Sequence, residues 1–296
     1  MNTSSPPRQW VGEVWPLASV LALAATLRLL FTTGLADIDA LIYSHLARNV
    51  ADGVWRLDYD AVPLAVTARV GIYGPAGLLY RLFGTSDATT FAWIFGSALL
   101  GVLFAYLIGR KLAGEAAGLF SAFLWAVLPT GVAASTALMG DGPIAALSMG
   151  VVYFVLVAET ARGWRVGVAL AAALACLAIG FATKPAISLL MVFLVVYAIW
   201  RRPRSAYAWA GLFVALFVLF VAYSIYTSQT TWSFSWLWLK IVPSTTTLVA
   251  ASTDWWAHVV TGSPEFSWIA PLWMVAIAVL LSVRQRTAYV PLLWFA

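Results

Sequence analysis

Repeated apolar runs of membrane-spanning length constrain this chain more than any other feature. A helix needs about 20 apolar residues to cross the hydrocarbon core of a bilayer. Such runs occur at 14–35, 89–109, 115–134, 142–158, 165–182, 186–200, 206–228 and 266–283, and another begins near 288. Of the 296 residues, 62% are apolar and only 10% are charged, unlike a soluble domain. We therefore predict an all-α, polytopic transmembrane helical bundle of about eight complete spans plus a truncated ninth, with amphipathic helices in the first outer loop.

The charges between the runs predict an orientation. If the N-terminus is cytoplasmic, the inner connectors carry ten basic and three acidic residues, and the outer ones six and nine. Cytoplasmic loops are enriched in Lys and Arg, so we predict a multi-pass protein of the cell membrane with a cytoplasmic N-terminus. The basic residues are scattered and form no basic arm, which predicts membrane lipids and no nucleic acid as partners despite a net charge of +5.

Two predicted outer connectors, 36–88 and 229–265, are long, and long loops in compact proteins are usually functional or disordered. In the first, Ile42, Leu46 and Val50 recur every four residues and Gly53 follows. This spacing predicts a short amphipathic helix on the outer membrane surface. Because the chain ends within an apolar stretch, we expect residues 1–296 to form a single transmembrane module that is truncated at its C-terminus.

Three aspartates on the predicted outer side are the candidate catalytic residues. Asp37 and Asp39 follow the first span, and Asp141 begins the fourth. A carboxylate at this depth could accept the proton of an attacking hydroxyl. Two carboxylates this close repel each other when ionised, which favours protonation of one or binding of a cation. Binding of a divalent cation is therefore an open alternative, and no other cofactor is predicted. The structural alternative is that Asp39 caps a helix, Asp37 is solvated and Asp141 caps the fourth span.

Several cationic and histidine side chains could support such a site. Arg28 lies inside the first span, where a charge is costly and usually faces a cavity or partner, although it could also snorkel. Arg69 and Lys184 are candidate ligands for a lipid phosphate, because guanidinium and ammonium groups suit phosphate oxygens; an ordinary interfacial lysine is the alternative. His45 could orient Asp39 or lie on the surface. A metal site built from His45 and the distant His258 is not expected, and the metal requirement stays unknown.

The order of these features resembles the GT-C superfamily of integral membrane glycosyltransferases, specifically the dolichyl-phosphate-mannose protein mannosyltransferase and aminoarabinose transferase group. The first outer loop of that group reads Asp, Tyr four residues on, Ala four beyond, and Gly after the helix. Those places are filled here by Asp39, Tyr43, Ala47 and Gly53. A later Pro and an apolar-Phe-Gly turn match Pro75 and residues 82–84. The resemblance covers roughly residues 14–200.

The resemblance implies a hexosyl- or pentosyltransferase of the cell envelope. It would take a sugar from a polyprenyl-phosphate carrier at the outer membrane face and pass it to an unidentified protein, lipid or glycan acceptor. The family's loop-one acid falls on Asp39 and its second acid on Asp141. The group often has Asp-Glu where this chain has Asp39-Ala40, and Asp37 is the candidate replacement. Carried over in the same way, lipid-phosphate binding falls on Arg69 and Lys184; Tyr43, His45 and Arg28 are supporting candidates.

The alternative class is a membrane transporter or lipid flippase, because charges inside a membrane also mark substrate paths. Transporters are commonly built from inverted repeats. The sequence contains no convincing inverted repeat, and few of its charges fall at mid-membrane depth. The long aromatic outer loops favour chemistry at the membrane surface.

Overall fold

The computed structural model describes residues 8–35, 37–55 and 64–184 and the single positions 187, 190, 211, 214, 215 and 218. Within these ranges the regular structure is helical and no strand occurs, which confirms the all-α prediction for this part of the chain. The helices are, in chain order, α1 (Arg8–Leu30), α2 (Ile38–Ala51), α3 (Leu64–Thr67), α4 (Val70–Phe83), α5 (Asp87–Ala113), α6 (Glu115–Val127), α7 (Pro129–Ala133), α8 (Asp141–Thr160) and α9 (Trp164–Thr183).

Helices α5, α8 and α9 are long and apolar enough to cross a membrane, with mean hydropathies of 2.1, 1.7 and 2.3. They coincide with the runs predicted at 89–109, 142–158 and 165–182, and they pack as α5 on α8 and α8 on α9. The apolar part of α1, Trp15–Leu30, is shorter than a full span. The spans predicted at 186–200, 206–228, 266–283 and near 288, and the loop 229–265, lie outside the continuous described ranges, so the total of eight or nine spans stays a prediction.

The apolar run at 115–134 is not one helix, contrary to the sequence prediction of a single span. Helix α6 ends at Val127, Leu128 leaves the helical conformation with φ −60° and ψ 117°, and Pro129 begins the short α7. The cause is Pro129: a proline has no N–H to donate, and its ring disfavours the α conformation of the residue before it. Mean hydropathy over a window does not register such a break.

Helix α2 confirms the helix that the spacing of Ile42, Leu46 and Val50 predicted, and its place on the outer membrane surface stays a prediction. Leu46 and Val50 are buried, and the helix ends before Gly53, whose φ of +80° is in the left-handed region that favours glycine. The N-cap is Asp37, whose carboxylate accepts from the Asp39 N–H at 2.8 Å. Asp39 therefore does not cap the helix, and its carboxylate is left for another role.

Helix α4 packs along α2 and contains Pro75 in its interior. A proline there leaves the carbonyl four residues earlier without its helical donor. That carbonyl belongs to Gly71, and it accepts instead from Trp93 Nε1 of α5 at 3.0 Å. The side chain of α5 thus completes the hydrogen bonding of α4 and fixes the outer-loop helices to the apolar bundle.

Candidate functional site

One end of the helix bundle brings together the segments that carry the candidate residues. The chain leaving α1 binds the chain entering α8, because the Thr33 N–H donates to the Thr136 carbonyl at 3.2 Å. The start of α4 lies against the end of α9: a Cβ added to Gly71 would lie 2.6 Å from the Thr183 backbone nitrogen. The first residues of α4 and α8 and the last of α9 therefore meet at this end.

Arg69 and Tyr43 form the first polar contact of the site. Arg69 Nη1 donates to the Tyr43 hydroxyl at 2.8 Å, and the side chain of Tyr43, on α2, is fully buried. The Arg69 Nε is also buried and has no hydrogen-bond partner among the described residues. A guanidinium has five N–H donors, so Arg69 has further donors besides the one that binds Tyr43.

Lys184 and Asp141 form the second contact. Lys184 Nζ donates to Asp141 Oδ1 at 2.5 Å, and the two side chains keep 33% and 48% of their surface exposed. The contact joins the residue that follows the last turn of α9 to the first turn of α8. Positive charge is favoured at a helix C-terminus and negative charge at an N-terminus, so both helix dipoles support the pair. The N-cap of α8 is Gly140, so the alternative prediction that Asp141 acts as the cap is wrong.

The charges of Asp39 and Asp141 both bear on the Tyr43 hydroxyl. Burial is the main cause that raises the pKa of the Tyr43 hydroxyl above its usual value, Arg69 opposes the rise, and the charges of Asp39 and Asp141 add to it. Such effects fall off over about 10 Å at physiological salt. Both carboxylates therefore act on one hydroxyl from different helices, whereas Asp37 is exposed and occupied as the cap of α2.

Arg28 is 1% exposed and its Nη1 donates to the carbonyls of Ala24 and Ala126, both at 3.1 Å. Ala126 lies in the last turn of α6, where carbonyls lack helical partners. Arg28 therefore satisfies the end of the broken helix and does not snorkel. Its Nε has no hydrogen-bond partner among the described residues, and it lines a cavity of about 190 Å³ together with Asp141.

His45 lies on the exposed side of α2, away from the buried Tyr43. No group of three metal-ligating side chains occurs in the part of the chain that the structure describes, a region that does not include His258. The structure therefore pairs Tyr43 with Arg69 and Asp141 with Lys184 at this end of the bundle. Asp39 lies one turn before Tyr43 on α2, and Arg28 lines a cavity together with Asp141.

Sequence reasoning missed Trp93 and Trp125. Trp93 completes α4, and Trp125 lines the Arg28 cavity from α6. The available signal for Trp93 was Pro75, which demands another donor for the Gly71 carbonyl. The signal for Trp125 was Pro129, four residues further along the chain, because this proline ends α6 and leaves space beside Trp125.

The family model described as dolichyl-phosphate-mannose-protein mannosyltransferase matches residues 76–226, about half of the chain. The match begins within α4 and includes α5–α9, and thus Asp141, Lys184 and most of the cavity lining. No curated protein matches the chain.

Proposed function

Because the chain belongs to the dolichyl-phosphate-mannose-protein mannosyltransferase family, we propose that it transfers a sugar from a polyprenyl-phosphate carrier to a protein, lipid or glycan acceptor. This family membership makes the chain a membrane glycosyltransferase, and three of its helices suit a bilayer. One structural observation supports particular residues for this activity. At one end of an apolar bundle, Arg69 binds Tyr43 one turn after Asp39 on α2, and Lys184 at the end of α9 binds Asp141 at the start of α8.

Arg69 and Lys184 are the proposed ligands of the carrier phosphate. Their cationic groups lie at the adjoining ends of α4 and α9. The phosphate gains negative charge when the sugar leaves it, and donors fixed in advance around that charge lower the barrier. Lys184 is bound to a half-exposed Asp141, so an arriving phosphate can contact the ammonium without removing a buried ion pair.

Asp39 is the proposed general base. Its neighbour Asp37 holds the first turn of α2 through the Asp39 N–H, which fixes the backbone. Among the described residues, the Asp39 carboxylate has no hydrogen-bond or salt-bridge partner. In the proposed step an acceptor hydroxyl or amine attacks the anomeric carbon and gives its proton to Asp39. The bond from that carbon to the phosphate oxygen breaks, and the phosphate leaves with the electron pair. Such direct displacement inverts the anomeric configuration.

The site is proposed to face the outer side of the membrane. The opposite end of the bundle carries Arg110, Lys111, Arg162 and Arg165, the type of residues that cytoplasmic connectors retain. Lys111 there donates to Thr160 at 2.8 Å, which joins the far ends of α5 and α8. This orientation puts the N-terminus in the cytoplasm. The family match does not favour the alternative of a transporter or flippase.

Asp39→Asn tests the proposal. We expect transfer from a radiolabelled polyprenyl-phosphate sugar to fall by roughly 100-fold or more, within the range that general-base catalysis contributes, with unchanged abundance in the membrane. Asp52→Asn is the matched control, because Asp52 is an exposed carboxylate at the other end of the same helix. Normal transfer by Asp39→Asn would remove Asp39 from the role of base.

A further inference from the structure

The end of the bundle opposite the candidate site carries four basic side chains. They are Arg110 and Lys111 in the last turn of α5, Arg162 between α8 and α9, and Arg165 in the first turn of α9. Lys111 Nζ donates to the Thr160 hydroxyl at 2.8 Å, which joins the last turn of α5 to the last turn of α8. The four side chains therefore belong to one end of the structure.

Two glutamates at this end interact with two of the four basic side chains. Arg110 Nε lies 3.0 Å from Glu115 Oε2, and the Tyr106 hydroxyl donates to the other oxygen of the same carboxylate at 2.5 Å. The charge of Glu159 acts on Lys111. Among the described residues, Glu115 and Glu159 are the only acids at this end. Arg110 and Lys111 therefore each have an acidic partner.

Arg162 and Arg165 have no such partner. Both are exposed, and neither forms a salt bridge with a carboxylate of the described residues. Trp164 lies between them in the chain and is 75% exposed. The φ of Gly163 is +60°, in the left-handed region that favours glycine, and it lets α9 begin directly after the turn. The turn therefore presents two exposed guanidinium groups on either side of an exposed indole in the chain.

The length of this turn fixes its depth in a membrane. Helices α8 and α9 are both long and apolar enough to cross a bilayer, and only residues 161–163 join them. So short a connection cannot extend far beyond the membrane, so the turn lies at the level of the lipid head groups. Tryptophan is enriched at that level. The anions nearest to the two arginines are then the phosphates of the surrounding lipids.

We infer that Arg162 and Arg165 bind the phosphates of anionic phospholipids, with Trp164 in the head-group layer beside them. A guanidinium donates two parallel N–H groups to phosphate oxygens, which suits this ligand. A zwitterionic lipid offers the same phosphate but neutralises it with its own cation, so the turn prefers anionic lipids. Cytoplasmic leaflets are rich in anionic lipids, which agrees with the proposed orientation. Such binding requires no transfer of sugar.

The test compares two lipids that differ in net charge. The purified chain in a non-ionic detergent is titrated with phosphatidylglycerol, which is anionic, or with phosphatidylcholine, and native mass spectrometry gives the dissociation constant of each. Each basic residue near an anionic surface contributes about fivefold in affinity. We therefore expect phosphatidylglycerol to bind roughly 10- to 30-fold more tightly. The double variant Arg162→Gln with Arg165→Gln should bind the two lipids equally, within about twofold.

The matched control is the double variant Arg48→Gln with Arg81→Gln. It removes the same charge from exposed positions on α2 and α4 and should keep the preference for phosphatidylglycerol. If the Arg162 and Arg165 variant does not fold, salt provides the test on the wild type. Raising the ionic strength from about 0.1 M to about 1 M shortens the screening length from about 10 Å to about 3 Å and should remove most of the preference.

Several results would overturn the inference. They are equal binding of the two lipids by the wild type, a preference that persists at high salt or in the folded Arg162 and Arg165 variant, and an equal loss of preference in the control variant. Full displacement of phosphatidylglycerol by millimolar inorganic phosphate would also overturn it, because the ligand would then be a free anion.

Discussion

The close approach of α4 to α9 at Gly71 gives the sharpest test of how the site is positioned. A Cβ at residue 71 would lie 2.6 Å from the Thr183 nitrogen and 2.9 Å from the Ala182 carbonyl carbon, and ordinary contact begins at 3.4 Å. Both partners are backbone atoms, which cannot rotate away. Gly71→Ala must therefore separate the two helices by roughly 0.8 Å, the difference between 2.6 Å and 3.4 Å.

The effect of this separation on stability should be small. Overpacking costs about 1–3 kcal/mol, and replacing glycine in a helix returns up to about 1 kcal/mol, so the free energy of unfolding should fall by about 0–2 kcal/mol. The effect on transfer should be larger, because Arg69 and Lys184 lie two residues before Gly71 and one after Thr183. A displacement of about 1 Å in a catalytic site can reduce the rate by about 100-fold.

The assay measures transfer from a radiolabelled polyprenyl-phosphate sugar in detergent alongside thermal unfolding. Gly74→Ala is the matched control, because its added Cβ would meet only the Val70 side chain of the same helix, at 3.2 Å. We expect Gly74→Ala to transfer at a rate close to that of the wild type. Wild-type transfer by a folded Gly71→Ala protein would refute the claim that this contact positions the two cations.

Two further variants test single contacts. Lys184→Gln should raise KM for the carrier-linked donor by roughly 10- to 100-fold, which corresponds to the loss of one hydrogen bond to a charged group. Arg81→Gln, at the exposed end of α4, is the control and should leave KM unchanged. Equal KM values for the two variants would exclude Lys184 from donor binding. Burial raises the pKa of Tyr43 in the folded chain, so above a pH of about 10 the unfolded state loses this proton first and stability falls. The unfolding temperature should therefore drop more between pH 8 and about pH 10.5 in the wild type than in Tyr43→Phe, and equal drops would contradict the buried, protonated Tyr43.

The sequence predicted those parts of the fold that depend on local pattern. Twenty-residue apolar runs predicted α5, α8 and α9, because a bilayer requires that length, and the four-residue spacing of Ile42, Leu46 and Val50 predicted α2. The sequence also predicted that acids after the first span would share an end of the bundle with Asp141, since that follows from counting crossings.

The contacts within the site could not be predicted, because they depend on how separate helices pack. Nothing local to Arg69 indicates that its partner is Tyr43, 26 residues earlier, or that Lys184 binds Asp141 across the α8–α9 hairpin. Gly77 lets α4, which Arg69 precedes, approach the backbone of α2 closely, and Gly71 lets it approach the end of α9 in the same way. The cavity that Arg28 lines likewise depends on the break between α6 and α7, which the mean hydropathy of the apolar run 115–134 does not reveal.

We expect this chain to move a sugar from a lipid phosphate onto an acceptor and not to move a lipid across a membrane. The most direct measurement is turnover by the purified protein in detergent micelles, with radiolabelled polyprenyl-phosphate mannose as donor and a membrane extract as acceptor. Micelles have no two sides, so transport cannot be observed in them, whereas transfer can. We expect label to move to the acceptor with one polyprenyl phosphate released per sugar. An intact donor in micelles, combined with movement of the same lipid between the leaflets of vesicles, would contradict the account.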